Sequence, residues 1–178
     1  MAVSGTVRKG VLALHIMASV GWMGAATSFA VLDTTTAVAS DTATLRAAYV
    51  AMELLALFAL VPLALATVAS GIAIAVLTPW GLFRHWWVVV TLVLTVLATV
   101  VLLLQVPTIM HRADVASAPE TPDAALGQMG NLLLHSVGGA AVLGVIAALN
   151  VFKPRGLTRH GWRQQQAMEG PRSSQPPP

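Results

Sequence analysis

Residues 86–107 read WWVVVTLVLTVLATVVLLLQVP, a run from Trp86-Trp87 to Val106-Pro107 that contains no charged side chain. A helix rises about 1.5 Å per residue, so roughly 20 such residues cover the ~30 Å hydrocarbon core of a bilayer. Outward from this run, three more stretches meet the same requirement, at residues 10–32, 48–77 and 131–152. The first opens after Arg8-Lys9 and ends at Asp33, and the fourth begins after Asn131 and stops before Lys153-Pro154. The second exceeds the minimum, which predicts a tilt or a first turn outside the core. Pro62 sits in its middle and removes a backbone donor, which predicts a kink. The expected fold is all-α, an integral membrane four-helix bundle.

Composition agrees with that fold and excludes several functions. The 178 residues are 56% hydrophobic and 10% charged, where soluble domains carry about 25% charged residues. Cysteine is absent, which rules out disulfides, thiolate metal sites, iron–sulfur clusters and cysteine nucleophiles. The net charge of +3 comes from basic residues gathered at the ends of apolar runs. That placement suits anionic lipid headgroups and not nucleic acid. No Ser-His-Asp arrangement, Gly-rich phosphate loop or HExxH motif occurs, so no catalytic residue is assigned.

Orientation follows from Lys and Arg. Arg8, Lys9, Arg84, Lys153, Arg155, Arg159, Arg163 and Arg172 make eight on one side, against Arg46 and Arg112 on the other. Four crossings with this bias put both termini and the 78–85 loop in the cytoplasm of a cell-membrane protein. Ser28-Phe29-Ala30 loosely fits a signal-cleavage site, but the first apolar run exceeds a 7–15-residue signal core and is read as a retained span. Residues 1–160 form the expected transmembrane domain. The Gln- and Pro-rich residues 161–178 are expected to be a disordered cytoplasmic tail.

Without a hydrophobic drive between helices in lipid, small residues mark close contacts. Gly21 and Ala25, Gly71 and Ala75, and Ala140, Gly144 and Ala148 predict tight packing among the first, second and fourth spans. The third span has almost no small residue except Ala98, which predicts a peripheral helix or a dimer surface.

Intramembrane polar residues are costly and tend to serve function. His15 lies about one turn inside the cytoplasmic end of the first span, and His135 about one turn inside the external end of the fourth. Small residues follow each at the third and fourth positions, Ala18-Ser19 and Gly138-Gly139, on the imidazole's own face. Such a platform suits a flat macrocycle or a partner helix equally. The two histidines should stand on the order of 20 Å apart, too far to share one iron. Same-side pairs are the expectation: His15 with His85 inside, and His135 with His111 outside, with Glu53 and Asp33 near the second pair. Neutral imidazoles bind haem iron or copper, and a carboxylate at the His111, His135, Glu53 group would also suit a borderline cation. The competing reading makes His85 and His111 solvated headgroup residues and His15 and His135 interhelical hydrogen-bonding residues. Trp22 and Met23 read as packing residues, and Trp80, Trp86, Trp87 and Trp162 as an interfacial belt.

The run His15-Ile-Met-Ala-Ser-Val-Gly-Trp22-Met23-Gly24 resembles the opening helix of the copper-resistance protein D and HemJ-type protoporphyrinogen oxidase families, which share a His-then-Trp-x-Gly pattern. The HemJ-type resemblance implies haem b with His15 as ligand, and the copper-protein resemblance implies metal handling. Ala25-Ala26-Thr27-Ser28-Phe29 stands where HemJ-type proteins continue with Tyr, Pro and Arg, and Thr91 where they tend to place a lysine. Residues 7–165 are similar to a domain-of-unknown-function family of small bacterial four-helix membrane proteins. Ala51-Met52-Glu53-Leu54, Trp80-Gly81-Leu82-Phe83-Arg84-His85-Trp86-Trp87, His135-x-x-Gly138-Gly139 and Lys153-Pro154-Arg155-Gly156-Leu157-Thr158-Arg159 carry that similarity.

The expected function is therefore an accessory, structural or sensing role in the bacterial cell membrane, in contact with lipid and with a second copy or a membrane-protein partner. The alternative is a b-type haem or copper protein in electron or metal transfer. A small transporter ranks third, since only Pro62 and Thr67 lie near mid-span.

Overall fold

The computed structural model describes residues 4–77, 82–154, 156–159, 161–163 and 166. These form α1 (Gly5–Val38), α2 (Thr42–Leu55), a π-helical stretch (Ala56–Leu60), α3 (Val61–Leu77), α4 (Trp86–Ser117), a short α5 (Asp123–Gln128) and α6 (Leu133–Phe152). Four helical stretches are long and apolar enough to cross a membrane: Gly5–Val38, Thr42–Leu77, Trp86–Ser117 and Leu133–Phe152. The chain is thus an all-helical, multi-pass membrane protein.

Local chemistry sets the helix ends. The Ser4 hydroxyl accepts from Val7 N at 3.4 Å to open α1, and the Asp41 carboxylate accepts from Thr44 N at 3.0 Å to open α2. Hydrogen bonds from Thr44 hold the Asp41 carboxyl below its usual range. Inside the second span, the expected kink at Pro62 is realised as a widened turn. Val61 N–H reaches back to the Ala56 carbonyl, so one extra residue is looped into the helix just before the proline. A π-turn there makes room for the pyrrolidine ring, which would clash with the preceding turn of a regular helix.

Each span packs on the spans that flank it in sequence, and the first also packs on the last. α1 lies along α2 and α3, α4 lies along the same two helices, and α6 contacts α1 and α4. This corrects the expectation of a peripheral third span. Thr91, Thr95 and Thr99 are buried along α4 at four-residue spacing. Their hydroxyls donate to the carbonyls of Val88, Thr91 and Thr95 at 3.1, 2.6 and 2.8 Å. With its polar hydrogen returned to its own helix, each threonine packs as a small residue.

The fourth span also differs from expectation. Its buried side chains are Ser136 and Leu143, two turns apart, whereas Gly144 and Ala148 are exposed. Asp33, fully buried near the end of α1, explains this rotation. Its carboxylate accepts from Leu132 N at 2.9 Å and from the Ser136 hydroxyl at 2.6 Å. The first span therefore supplies the cap of the last, and the Ser136 face is turned inward.

Two hydrogen-bonded belts close the ends. At the end containing Asp33, the Arg46 guanidinium donates to the carbonyls of Ala116, Ala118 and Thr121 at 2.7, 3.0 and 2.7 Å, stopping α4. Tyr49 and Arg112 both donate to the carbonyl of Gly130, at 2.9 and 3.3 Å. Gly130 has φ +68°, a turn that a side chain would strain. Within this connection Leu126 of α5 is fully buried, an ordered element that the polar composition of 108–130 did not suggest.

At the opposite end, residues 156–159 and Gly161 lie against the start of α4. Thr158 donates from its hydroxyl to the Phe83 carbonyl and from its amide to the Arg84 carbonyl, while Trp86 N donates to the Gly156 carbonyl. A side chain at Gly161 would collide with the Arg84 carbonyl. Most of the expected 161–178 tail, with Arg172, lies outside the described residues, as do Trp80 and Arg155.

Replacing Asp33 by Ala leaves two buried donors without an acceptor and should cost about 1–3 kcal/mol. Thermal unfolding in detergent should show a lowered midpoint for Asp33→Ala. Asp33→Asn, which keeps one accepting oxygen, should lose less.

Candidate functional site

A cavity of about 380 Å³ lies among α1, α4, α6 and the π-helical stretch. Buried Trp22 and Phe29 of α1 and Leu60 of the widened turn form its floor. Its mouth lies between α4 and α6, where the lining residues Leu97, Val101 and Leu134 are exposed. The cavity thus opens sideways, on a flank that the apolar helices direct to lipid. Its size falls within the range of small-molecule sites.

The wall is apolar apart from a few groups. Ser136 is already bonded to Asp33. His135 and Gln105 also line the cavity, and neither has a hydrogen-bond partner among the described residues. By helix rise, Gln105 lies on the order of 28 Å from the start of α4, near one margin of the hydrocarbon. His135, in the first turn of α6, stands at the same margin. Gly138 and Gly139 line the cavity beside it, and a Cβ added to either would meet nothing within 4 Å. The result is an open slot with His135 and Gln105 at one end and an apolar interior.

Ser136 ties the site to the fold. Because Asp33 holds Ser136 inward, the adjacent His135 is carried to the edge of the same helix face, at the mouth of the slot. The carboxylate expected near His135 is therefore close in the chain of contacts, but it binds the helix and not the imidazole.

The other histidines are distributed differently. His15 Nδ1 is 3.0 Å from the Ser70 hydroxyl, which itself donates to the Ala66 carbonyl at 2.5 Å. The serine hydroxyl thus bridges the imidazole of α1 and the backbone of α3. The imidazole lies on Gly71, where an added Cβ would stand 3.1 Å from His15 Cε1. His15 thus links α1 to α3, and the buried Thr67 hydroxyl one turn earlier has no partner. This packed position against α3 has little room for the macrocycle that the HemJ-type resemblance implies. His85 caps α4 and its backbone pairs with Leu157. His111 is exposed on α4 and Glu53 half-buried on α2. Among the described residues, no three His, Asp or Glu side chains converge as a metal site.

The sequence reading singled out His135 and its glycines but passed over Gln105, Ser136 and Ser70. Gln105 carried a signal, as the lone carboxamide in the uncharged run of residues 86–107. Ser70 and Ser136 carried none, because serine is common in membrane helices and its partner is decided by three-dimensional packing.

No protein family, no curated protein and no solved structure matches this chain. The site's chemistry must therefore be argued from its own residues.

An unpartnered carboxamide in an apolar wall is a cost that function explains and stability does not. Gln105→Leu should raise the unfolding midpoint of ligand-free protein, by about 1 kcal/mol of stability. A lowered midpoint would mean that Gln105 has a structural partner.

Proposed function

We propose that this protein is a receptor-like accessory or sensing protein of the bacterial cell membrane, which takes a flat, polar-headed lipophilic molecule sideways from the bilayer. The observation that carries this reading is the pair of uncommitted neutral side chains, His135 and Gln105, lining one otherwise apolar cavity. Binding would desolvate nothing that is charged, and it would give both side chains a partner. The apolar interior would hold the rest of the molecule at the depth it already occupies in lipid.

The spans are arranged in this proposal as a four-helix bundle with both termini cytoplasmic, which puts the slot's polar end at the external margin. The eight-to-two distribution of Lys and Arg supports that orientation. A C-terminal reporter should be active only as a cytoplasmic fusion. Activity of a periplasm-dependent reporter there would reverse the orientation.

A second reading is b-type haem on His135, favoured by the open face at Gly138 and Gly139 beside that imidazole. His135 would hold the haem iron, and haem would supply one-electron chemistry. A Soret band lost on His135→Ala would support it. Copper transfer and transport gain no comparable support.

Filling the slot tests the main reading. Gly139→Phe should fold and reach the membrane, yet lose a stoichiometric small molecule that organic extraction recovers from the unsubstituted protein. Identical extracts from the two proteins would remove the cavity from consideration.

A further inference from the structure

We propose that the molecule bound between α4 and α6 is an isoprenoid quinone, its ring in the slot and its two ring oxygens accepting from His135 and Gln105. This inference rests on the lateral-site reading above and narrows it to one chemical class.

The argument begins with what the polar end of the slot offers. Neutral imidazole donates one N–H and the carboxamide two, and neither group is otherwise engaged. Two neutral donors suit a ligand with two neutral acceptors. They do not suit a phosphate or a pair of propionates, which need cations. The two arginines at this end, Arg46 and Arg112, hold backbone carbonyls and are not among the described residues that line the cavity. A phosphate headgroup or a haem propionate in the slot would therefore meet no Lys or Arg among the described lining residues.

Shape gives a second constraint. Gly138 and Gly139 leave open space at one stretch of the α6 wall, and Trp22 and Phe29 form the aromatic floor. A planar ring fits between such walls, stacking on aromatic faces. Third, the slot opens to lipid between α4 and α6, past exposed Leu97 and Val101. A polyisoprenoid tail much longer than the cavity can leave by that opening and remain in the bilayer.

Trp22 supplies the readout, because quinones quench indole fluorescence at short range. Of the other tryptophans, Trp86, Trp87 and Trp162 are outside the cavity lining, and the fourth is at position 80. In a variant with those four changed to Phe, reconstituted in nanodiscs, menaquinone should quench Trp22 saturably, near one molecule per protein. Gln105→Leu and His135→Leu should each weaken the apparent affinity several-fold, and together about tenfold or more, as expected for two hydrogen bonds. If the double variant does not fold, the two single variants carry the comparison.

Quenching that rises linearly with quinone content and ignores both substitutions would overturn the quinone assignment. Phospholipids with brominated chains separate that failure from failure of the site itself. Saturable quenching by brominated lipid, without saturable quenching by quinone, would keep the lateral site and reject the quinone. Absence of saturable quenching by both would reject both. A Soret band in protein purified without added quinone would assign the slot to haem and likewise reject this proposal.

Discussion

The architecture depends on one carboxylate. Asp33 is fully buried where α1 ends, and both of its oxygens are used on the start of α6. A helix begins with amide groups that have no partner, and in a membrane those groups have little water to turn to. Asp33 supplies an acceptor from the other end of the chain, nearly a hundred residues away, and adds the Ser136 hydroxyl to the same carboxylate. The bond fixes the fourth span both in height and in rotation. Height places the polar start of α6 level with the end of α1. Rotation turns Ser136 and Leu143 inward, leaves Gly144 and Ala148 to lipid, and sets His135 at the mouth of the slot.

The two ends of the molecule are built by different means around that bond. At the Asp33 end, long side chains reach backbone carbonyls: Arg46 stops α4 and Tyr49 holds Gly130. At the other end the chain after α6 lies against the start of α4 through its own backbone, with Thr158 and the close approach at Gly161. Between them, most of the described hydroxyl groups are returned to their own helices. The exceptions stand out for that reason. Thr67 is a single buried hydroxyl beside His15, whereas Gln105 and His135 face the same open space.

How much of this could be read from the sequence varies with the physical range of the interaction. Span number and rough limits depend on local composition, and residues 86–107 alone announce a membrane helix. The helices nevertheless run beyond the apolar runs, with α1 reaching Val38 and α4 reaching Ser117, where the Arg46 side chain takes the last carbonyls. Packing was less legible. Ala140, Gly144 and Ala148 form a convincing interface pattern by spacing, yet a single distant carboxylate overrides it. Thr91, Thr95 and Thr99 looked like part of a uniform apolar series, although their spacing and small effective size make them the contact face of the third span. At the site, His135 and its glycines were visible as local sequence, whereas Gln105 became meaningful only when α4 was seen to form the facing wall.

The proposed lateral site requires that the space between α4 and α6 stay open for a molecule drawn from the bilayer. An experimental structure of the protein in nanodiscs made from its native membrane lipids tests this most directly. Continuous density should fill the slot, within hydrogen-bonding distance of His135 and Gln105, and leave between α4 and α6. A slot closed by collapse of α6 onto α4, with His135 turned out to the headgroups, would contradict it.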